Sequence, residues 1–257
     1  MEYIKIAEQA AREAGNIHLE NLGKVKEIEF KAKNSLVTEV DKLSEELIIG
    51  IIKESFPSHD IFAEESGRHT SGSEFLWLID PLDGTTNYAH AYPFFSVSIA
   101  LEVNGVLETG LVYDPVKDEM FTAERGKGAF LNGKPIRVSK KARVDESHLC
   151  TGFVHENEQM VEENLRHFAN FIRQARAVRR DGSAALDLCY AACGRFDGFW
   201  ELGLNPWDTA AGVLILEEAG GKVSSFSGSK YSIYVKEILT SNGNIHDEMI
   251  EILSLDN

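Results

Sequence analysis

Trp77-Leu78-Ile79-Asp80-Pro81-Leu82-Asp83-Gly84-Thr85-Thr86-Asn87 decides the reading of this chain. An apolar run from Phe75 to Ile79 has the character of a buried strand, and it ends in two carboxylates three residues apart. Pro81 bends the chain there, so that Asp83 can turn back toward Asp80 and two hard oxygen ligands converge. Gly84 lets the backbone approach an anion closely, and Thr85 and Thr86 can open a helix whose unpaired amides attract phosphate. A metal and a phosphate would then meet at one corner. Asp-Pro-x-Asp-Gly-Thr is also ordinary turn chemistry, so the stretch needs company before it carries a function.

Two further segments supply it. His59-Asp60-Ile61-Phe62-Ala63-Glu64-Glu65-Ser66-Gly67 reads as a short strand ending in two glutamates, and Asn205-Pro206-Trp207-Asp208-Thr209-Ala210-Ala211-Gly212 opens a helix. Together the three segments resemble the inositol monophosphatase family. The resemblance runs from a helical start through Leu36-Val37-Thr38-Glu39-Val40-Asp41 to Glu217-Glu218-Ala219-Gly220-Gly221.

The resemblance implies a five-layer α/β/α/β/α sandwich of the inositol monophosphatase/fructose bisphosphatase type. It also implies that Glu64, Asp80, Asp83 and Asp208 hold two or three magnesium ions, with the Leu82 carbonyl as a further ligand and manganese as a substitute. One ion falls to Glu64, Asp80 and Leu82, and the other to Asp80, Asp83 and Asp208, with Asp80 bridging. Magnesium chemistry agrees, since the ion takes octahedral oxygen coordination from a few carboxylates and keeps positions for water and phosphate.

By the same resemblance, the Thr85 hydroxyl aims a water in line at phosphorus, with Asp41 nearby and Glu64 sharing in catalysis. The Gly84 and Thr85 amides bind phosphate oxygens. Asp41 fits two roles, a plain helix cap and a residue facing a weakly held third magnesium. Thr85 can likewise cap its own helix. Lys31 matches the lysine before the Leu36–Asp41 motif, whereas Ser35 stands where many relatives carry Asp. Glu65, if its segment is extended, points away from Glu64 toward solvent or the surroundings of the site.

On the substrate side, Gly182, Ser183 and Ala184 correspond to the loop and helix start that contact hydroxyl groups, with a plain helix N-terminus as the rival reading. Glu201 corresponds to a glutamate that accepts hydrogen bonds from ring hydroxyls, and Asp208 also borders the substrate. Arg179 and Arg180 form a basic pair that can meet local carboxylates or a second phosphate. The reaction implied is direct hydrolysis of inositol 1-phosphate, inhibited by lithium, in a homodimer. Fructose 1,6-bisphosphate, histidinol phosphate and 3′-phosphoadenosine phosphates are alternatives within the same chemistry. A non-catalytic partnership with transcription machinery is the alternative outside it.

The 257 residues carry 41 acidic against 26 basic side chains, a net charge of −15, which disfavours direct binding of nucleic acid or an anionic membrane. No apolar run reaches the roughly 18 residues of a membrane span, and the start lacks a secretory layout, so a cytoplasmic protein is expected. Cys150, Cys189 and Cys193 have no Cys-x-x-Cys spacing and read as buried structural thiols. None of the eight histidines forms a His-x-x-x-His ligand pair.

Periodicity predicts helices at 2–20 and 41–55, the second capped by Asp41 with Leu43, Leu47, Ile48, Ile51 and Ile52 inward. A largely antiparallel sheet follows, with strands at Phe75–Ile79, 95–103, 105–113, 119–123 and 128–138 and hairpin turns at Asn104-Gly105 and Asn132-Gly133. The remainder alternates: helix 157–174, strand 175–179, a helix capped by Ser183, strand 196–201, helix 207–219 stopped by Gly220-Gly221, strand 222–225 and helix 245–255. Two subdomains are expected, 1–142 with most metal ligands and 143–257 with Asp208 and the substrate contacts.

Overall fold

The computed structural model describes residues 2–24, 28–32, 35–153 and 157–255, and of 28–32 and 35–38 the backbone alone. The expectations for Lys31 and Ser35 therefore lie outside the described side chains. Helices α1 (Glu2–Asn21) and α2 (Glu39–Ser55) flank an antiparallel hairpin, β1 (Ile28–Ala32) and β2 (Ser35–Thr38), that periodicity does not predict.

α1 buries Ala7, Ala10, Ala11 and Ala14, a one-sided stripe of small residues. At Gly15 an added Cβ would stand 2.7 Å from the Tyr113 ring, so the helix lies directly on the sheet. α2 departs from expectation at its first turns. It begins at Glu39, which puts Asp41 inside the first turn and not at the cap, and Leu43 is 51% exposed. The inward residues are Val40, Asp41, Ser44, Glu45, Ile48 and Ile52, apolar at one end and, Val40 apart, polar at the other. Helical geometry fixes which positions share a face, and the functional site lies against the polar end.

The next elements are β3 (Asp60–Ala63), β4 (Gly67–His69), β5 (Phe75–Asp83), α3 (Thr85–Ala89), β6 (Ser96–Val103), β7 (Val106–Asp114), β8 (Glu119–Glu124), β9 (Ala129–Leu131) and β10 (Lys134–Pro135). They form an eight-stranded sheet in the order β10-β9-β8-β7-β6-β5-β3-β4. Only the β3–β5 pair is parallel. Asn104-Gly105 and Asn132-Gly133 both have positive φ at each residue, as two-residue hairpin turns demand. β5 runs past the expected Ile79 to Asp83, and β3 turns directly into β4, a hairpin where the sequence suggests a single strand.

After a 3₁₀ turn at Val144–Glu146 come β11 (His148–Thr151), α4 (Glu158–Gln174), β12 (Ala177–Arg179), α5 (Ala184–Ala192), β13 (Gly198–Leu202), α6 (Pro206–Glu218), β14 (Lys222–Ser224), β15 (Glu237–Ser241) and α7 (His246–Leu253). Their strands make a mixed sheet, β12-β11-β13-β15-β14. The layers stack as α1 and α2, the larger sheet, α5 and α6, the smaller sheet, then α4 and α7. This is the five-layer sandwich.

α6 is buried on nearly every side and so lacks an amphipathic period. A Cβ on Gly110 of β7 would meet the Ala211 carbonyl at 2.8 Å, and one on Gly212 would meet Leu188 at 2.6 Å. Glycines on both sides of α6 thus let it lie tightly against β7 and α5. The three cysteines are free thiols, Cys150 and Cys189 buried and Cys193 partly so, with burial pushing each thiol up.

Candidate active site

The site begins with a fault in β5. Opposite β6, Asp80 pairs with Ser98 and Asp83 with Ser96, so β5 spends three steps where its neighbour spends two. In a regular strand, residues three apart face opposite sides; the extra residue at the bulge brings Asp80 and Asp83 to the same pocket. Pro81 lies within the irregularity, where a missing amide hydrogen is tolerated. Glu64 arrives from the neighbouring chain segment: its amide donates to the Ile79 carbonyl at 3.1 Å, continuing the parallel β3–β5 pairing by one residue. Glu64 and Glu65 lie in the β3–β4 turn, so the alternation that would turn Glu65 outward does not apply, and Glu65 is partly buried.

A cavity of about 180 Å³ is lined by Glu64, Asp80, Leu82, Asp83, Gly84, Thr85, Gly182, Ser183, Ala184, Arg180, Glu201 and Asp208, together with Gly152, Phe153 and Leu204. Of the site residues expected from sequence, Asp41 lies fully buried behind this wall, and Arg179 is exposed outside it with its guanidinium donating to the Val178 carbonyl, so of the basic pair only Arg180 lines the cavity. The Thr85 hydroxyl is 3.0 Å from Asp41 Oδ1 and 3.1 Å from the Leu82 carbonyl. It is not a helix cap: Gly84, at φ 96°, occupies the N-cap of α3. A Cβ there would come within 3.0 Å of the Phe94 carbonyl, so both the turn and the close packing call for glycine.

Each aspartate is anchored through one oxygen. Asp80 Oδ1 accepts from the Leu82 amide at 3.0 Å, and Asp208 Oδ2 accepts from the Asn205 amide at 2.7 Å. Asp83 Oδ2 accepts from the Ala185 amide at 2.9 Å and from the Ser183 hydroxyl. Ser183 is thereby occupied: its hydroxyl also accepts from the Leu186 amide as the expected cap of α5, and it is nearly fully buried. It links Asp83 to α5 and does not offer a free hydroxyl to a substrate.

Burial and mutual repulsion show in the acidities. Asp80 is pushed well up by burial and then by the charges of Glu64, Asp83 and Asp208, with a Glu64 side-chain hydrogen bond adding to the rise. Burial drives Asp83 up to about 6 although Ser183 and Ala185 pull the other way. Asp208 rises through burial and Glu64, opposed by the Asn205 amide and Lys236. Glu201 is pushed up to about 8 by burial and by Asp208, with Arg180 opposing.

This donor set fits magnesium: hard oxygens, each aspartate held by one oxygen, in a cluster whose charges raise one another's pKa. Among the described residues no three His, Cys, Asp or Glu side chains are grouped so that they could hold a metal ion as they stand. The Asp80 and Glu64 side chains are already within hydrogen-bond reach of each other, and the other carboxylates line the same pocket, where a cation would relieve their mutual repulsion.

Two contributors carry little or no sequence signal. Asn87 Nδ2 donates to the Phe94 carbonyl at 2.8 Å and the Asp181 carbonyl at 2.9 Å, tying α3 to the loop before α5; its only signal is its place at the end of the Asp-Gly-Thr-Thr motif. Gly152 makes room for Glu201, since a Cβ there would lie 2.2 Å from both carboxylate oxygens. Nothing in the sequence around Gly152 signals that contact.

A family model described as the inositol monophosphatase family matches residues 1–255. An inositol-1-monophosphatase from Synechocystis sp. is 44% identical over 254 residues, covering 98% of this chain and 88% of that protein. A Nus factor SuhB from Pseudomonas aeruginosa is 43% identical over 248 residues, covering 93% and 91%. The crystal structure of extragenic suppressor protein suhB from Bartonella henselae is similar with a TM-score of 0.96 at 36% identity, covering 100% of both chains.

Proposed function

Because the chain belongs to the inositol monophosphatase family, we propose that it is a magnesium-dependent phosphate monoester hydrolase acting on inositol 1-phosphate. The observation that carries this reading is one cavity holding Glu64, Asp80, Asp83, Asp208 and the Leu82 carbonyl beside the Thr85–Asp41 pair and the Gly84 turn. Glu64, Asp80 and Leu82 would hold one magnesium ion and Asp80, Asp83 and Asp208 a second. When bound, the ions would offset the charge of the phosphate and make an attacking water more acidic.

The chain's own groups supply orientation. The Thr85 hydroxyl has one hydrogen and donates it to Asp41 or to the Leu82 carbonyl, so its lone pairs remain to accept a hydrogen from water. Buried Asp41 fixes that polarity. Gly84 brings backbone amides of the α3 start close to the phosphate oxygens. Glu201 and the 182–184 backbone face the part of the cavity left for a polyol, where paired hydroxyls suit a carboxyl group with two oxygens. Arg180 lies in the same wall and suits a second anionic group. Alignment and charge neutralisation are what a slow phosphate monoester hydrolysis requires most.

A turnover screen of inositol 1-phosphate, fructose 1,6-bisphosphate, histidinol phosphate and 3′-phosphoadenosine phosphates with added magnesium tests the assignment. Inositol 1-phosphate should lead, and no magnesium-dependent release of phosphate from any of them would overturn it. A second reading rests on the relative named Nus factor SuhB: the same chain also serves transcription through a protein partner. The net charge of −15 favours protein contact over bare RNA. Among the described residues no helix is long and apolar enough to cross a membrane.

A further inference from the structure

We propose that Glu45 is a positioning residue that sets the place of Glu64, an inference resting on the reading of Glu64 as a magnesium ligand. Glu45 is 3% exposed, on the polar end of the α2 stripe, one helical turn after Asp41. Its two oxygens are divided between two consecutive amides of the β3–β4 turn: Oε2 accepts from Glu65 N and Oε1 from Ser66 N, each at 2.8 Å.

Glu64 is thus held from both sides. Its own amide is fastened to the Ile79 carbonyl of β5 at 3.1 Å, and the two amides that follow it are fastened to α2. One side chain therefore sets the path of the backbone as it leaves Glu64. The chemistry requires a carboxylate. Two donors need two acceptors, whereas the amide of glutamine would place a donor against one of them. Burying a negative group is unfavourable unless it is hydrogen-bonded, and both oxygens of this one are committed to the turn that follows Glu64.

The spacing has a second effect. Asp41 and Glu45 are four residues apart on one helix face; the first fixes Thr85 and the second fixes the Glu64 turn. One rigid helix therefore sets the distance between the residue that orients water and a residue that would hold a cation.

Glu45→Gln should raise the magnesium concentration at half-maximal turnover, and at half-maximal shift of melting temperature, about 10–100-fold, the range for outer residues that orient metal ligands. At saturating magnesium kcat should return to within a few-fold of wild type. Glu46→Gln, on the exposed side of the same helix, is the control and should leave both midpoints unchanged. Wild-type midpoints in Glu45→Gln would overturn the proposal. If that variant does not fold, hydrogen exchange on the metal-free wild type decides: the Glu65 and Ser66 amides should be protected, and rapid exchange at both would overturn the clamp. A wild type with no magnesium-dependent turnover and no melting shift would instead overturn the metal reading of Glu64, and with it the positioning role of Glu45.

Discussion

Asp83→Asn should stabilise the metal-free protein near neutral pH while removing its response to magnesium. In the folded chain burial lifts the Asp83 carboxyl from 3.8 to about 6. At 1.36 kcal/mol per unit, keeping it ionised costs the folded state about 3 kcal/mol above pH 6. The sign follows from proton binding. A raised folded pKa means the native state holds the proton more tightly, so the cost is absent below 3.8 and complete above about 6. Asparagine has no charge to lose. With its amide oxygen turned toward Ser183 and Ala185 it keeps both hydrogen bonds, but to a neutral acceptor, and that weakening offsets about 1 kcal/mol of the gain. The net gain at pH 7.5 is about 1–2 kcal/mol, or roughly 2–8 °C in melting temperature for a chain of this size. At pH 4.5 it should nearly vanish. Scanning calorimetry in chelator at both pH values measures it, followed by the same scans in magnesium. Wild type should gain about 2.7 kcal/mol at a hundredfold excess over Kd, and the variant little. Phosphatase turnover should be lost. A variant less stable than wild type at pH 7.5, with the magnesium shift intact, would refute the reasoning.

Other outcomes follow from the same geometry. Thr85→Val should lower kcat roughly 10²-fold with an unchanged magnesium melting shift, because it removes the hydroxyl proposed to orient water and no proposed ligand; single-turnover assays beside calorimetry would show it, and a lost melting shift would contradict it. Glu201→Gln should impair inositol 1-phosphate more than an aryl phosphate, and since glutamine resembles the protonated acid, the gap should widen as pH rises through about 8. Equal loss for both substrates at every pH would mean that Glu201 supports the site and not the polyol. Burial holds His18 at about 3 and His246 at about 4, so both stay neutral in the fold while the unfolded chain binds protons below about 6.5. Stability is complete above that pH and falls below it, by about 2 kcal/mol per histidine at pH 5, and denaturant titrations at pH 7 and 5 would detect the loss. His18→Phe, beside Tyr88 and Phe95, should reduce that dependence. Millimolar lithium should inhibit turnover, and full activity in tens of millimolar would remove lithium sensitivity while leaving the phosphatase reading in place.

The sequence by itself determined the family and which carboxylates are candidates for its site. Asp80, Asp83, Glu64 and Asp208 each stand next to an apolar run or a helix start, and those short-range signals are enough to place Glu64, Asp83 and Asp208 at or near element ends, whereas Asp80 proves to lie inside β5. The Asn-Gly hairpins, the Ser183 cap and the Gly220-Gly221 stop are likewise local, because turn and cap geometry depends on a few neighbouring residues. What the tertiary structure alone decided was the direction in which these groups point. The β5 bulge that puts Asp80 and Asp83 in one pocket is a mismatch of register with β6, which no property of β5 alone specifies. Leu43 reads as core, yet faces solvent because the helix turns its opposite face, with Asp41 and Glu45, inward. Ser183 reads as a substrate contact, but its hydroxyl is committed to Asp83, one hundred residues away in sequence. Such pairings are set by how layers stack, and a polar side chain buried between layers takes the partner that stacking brings to it.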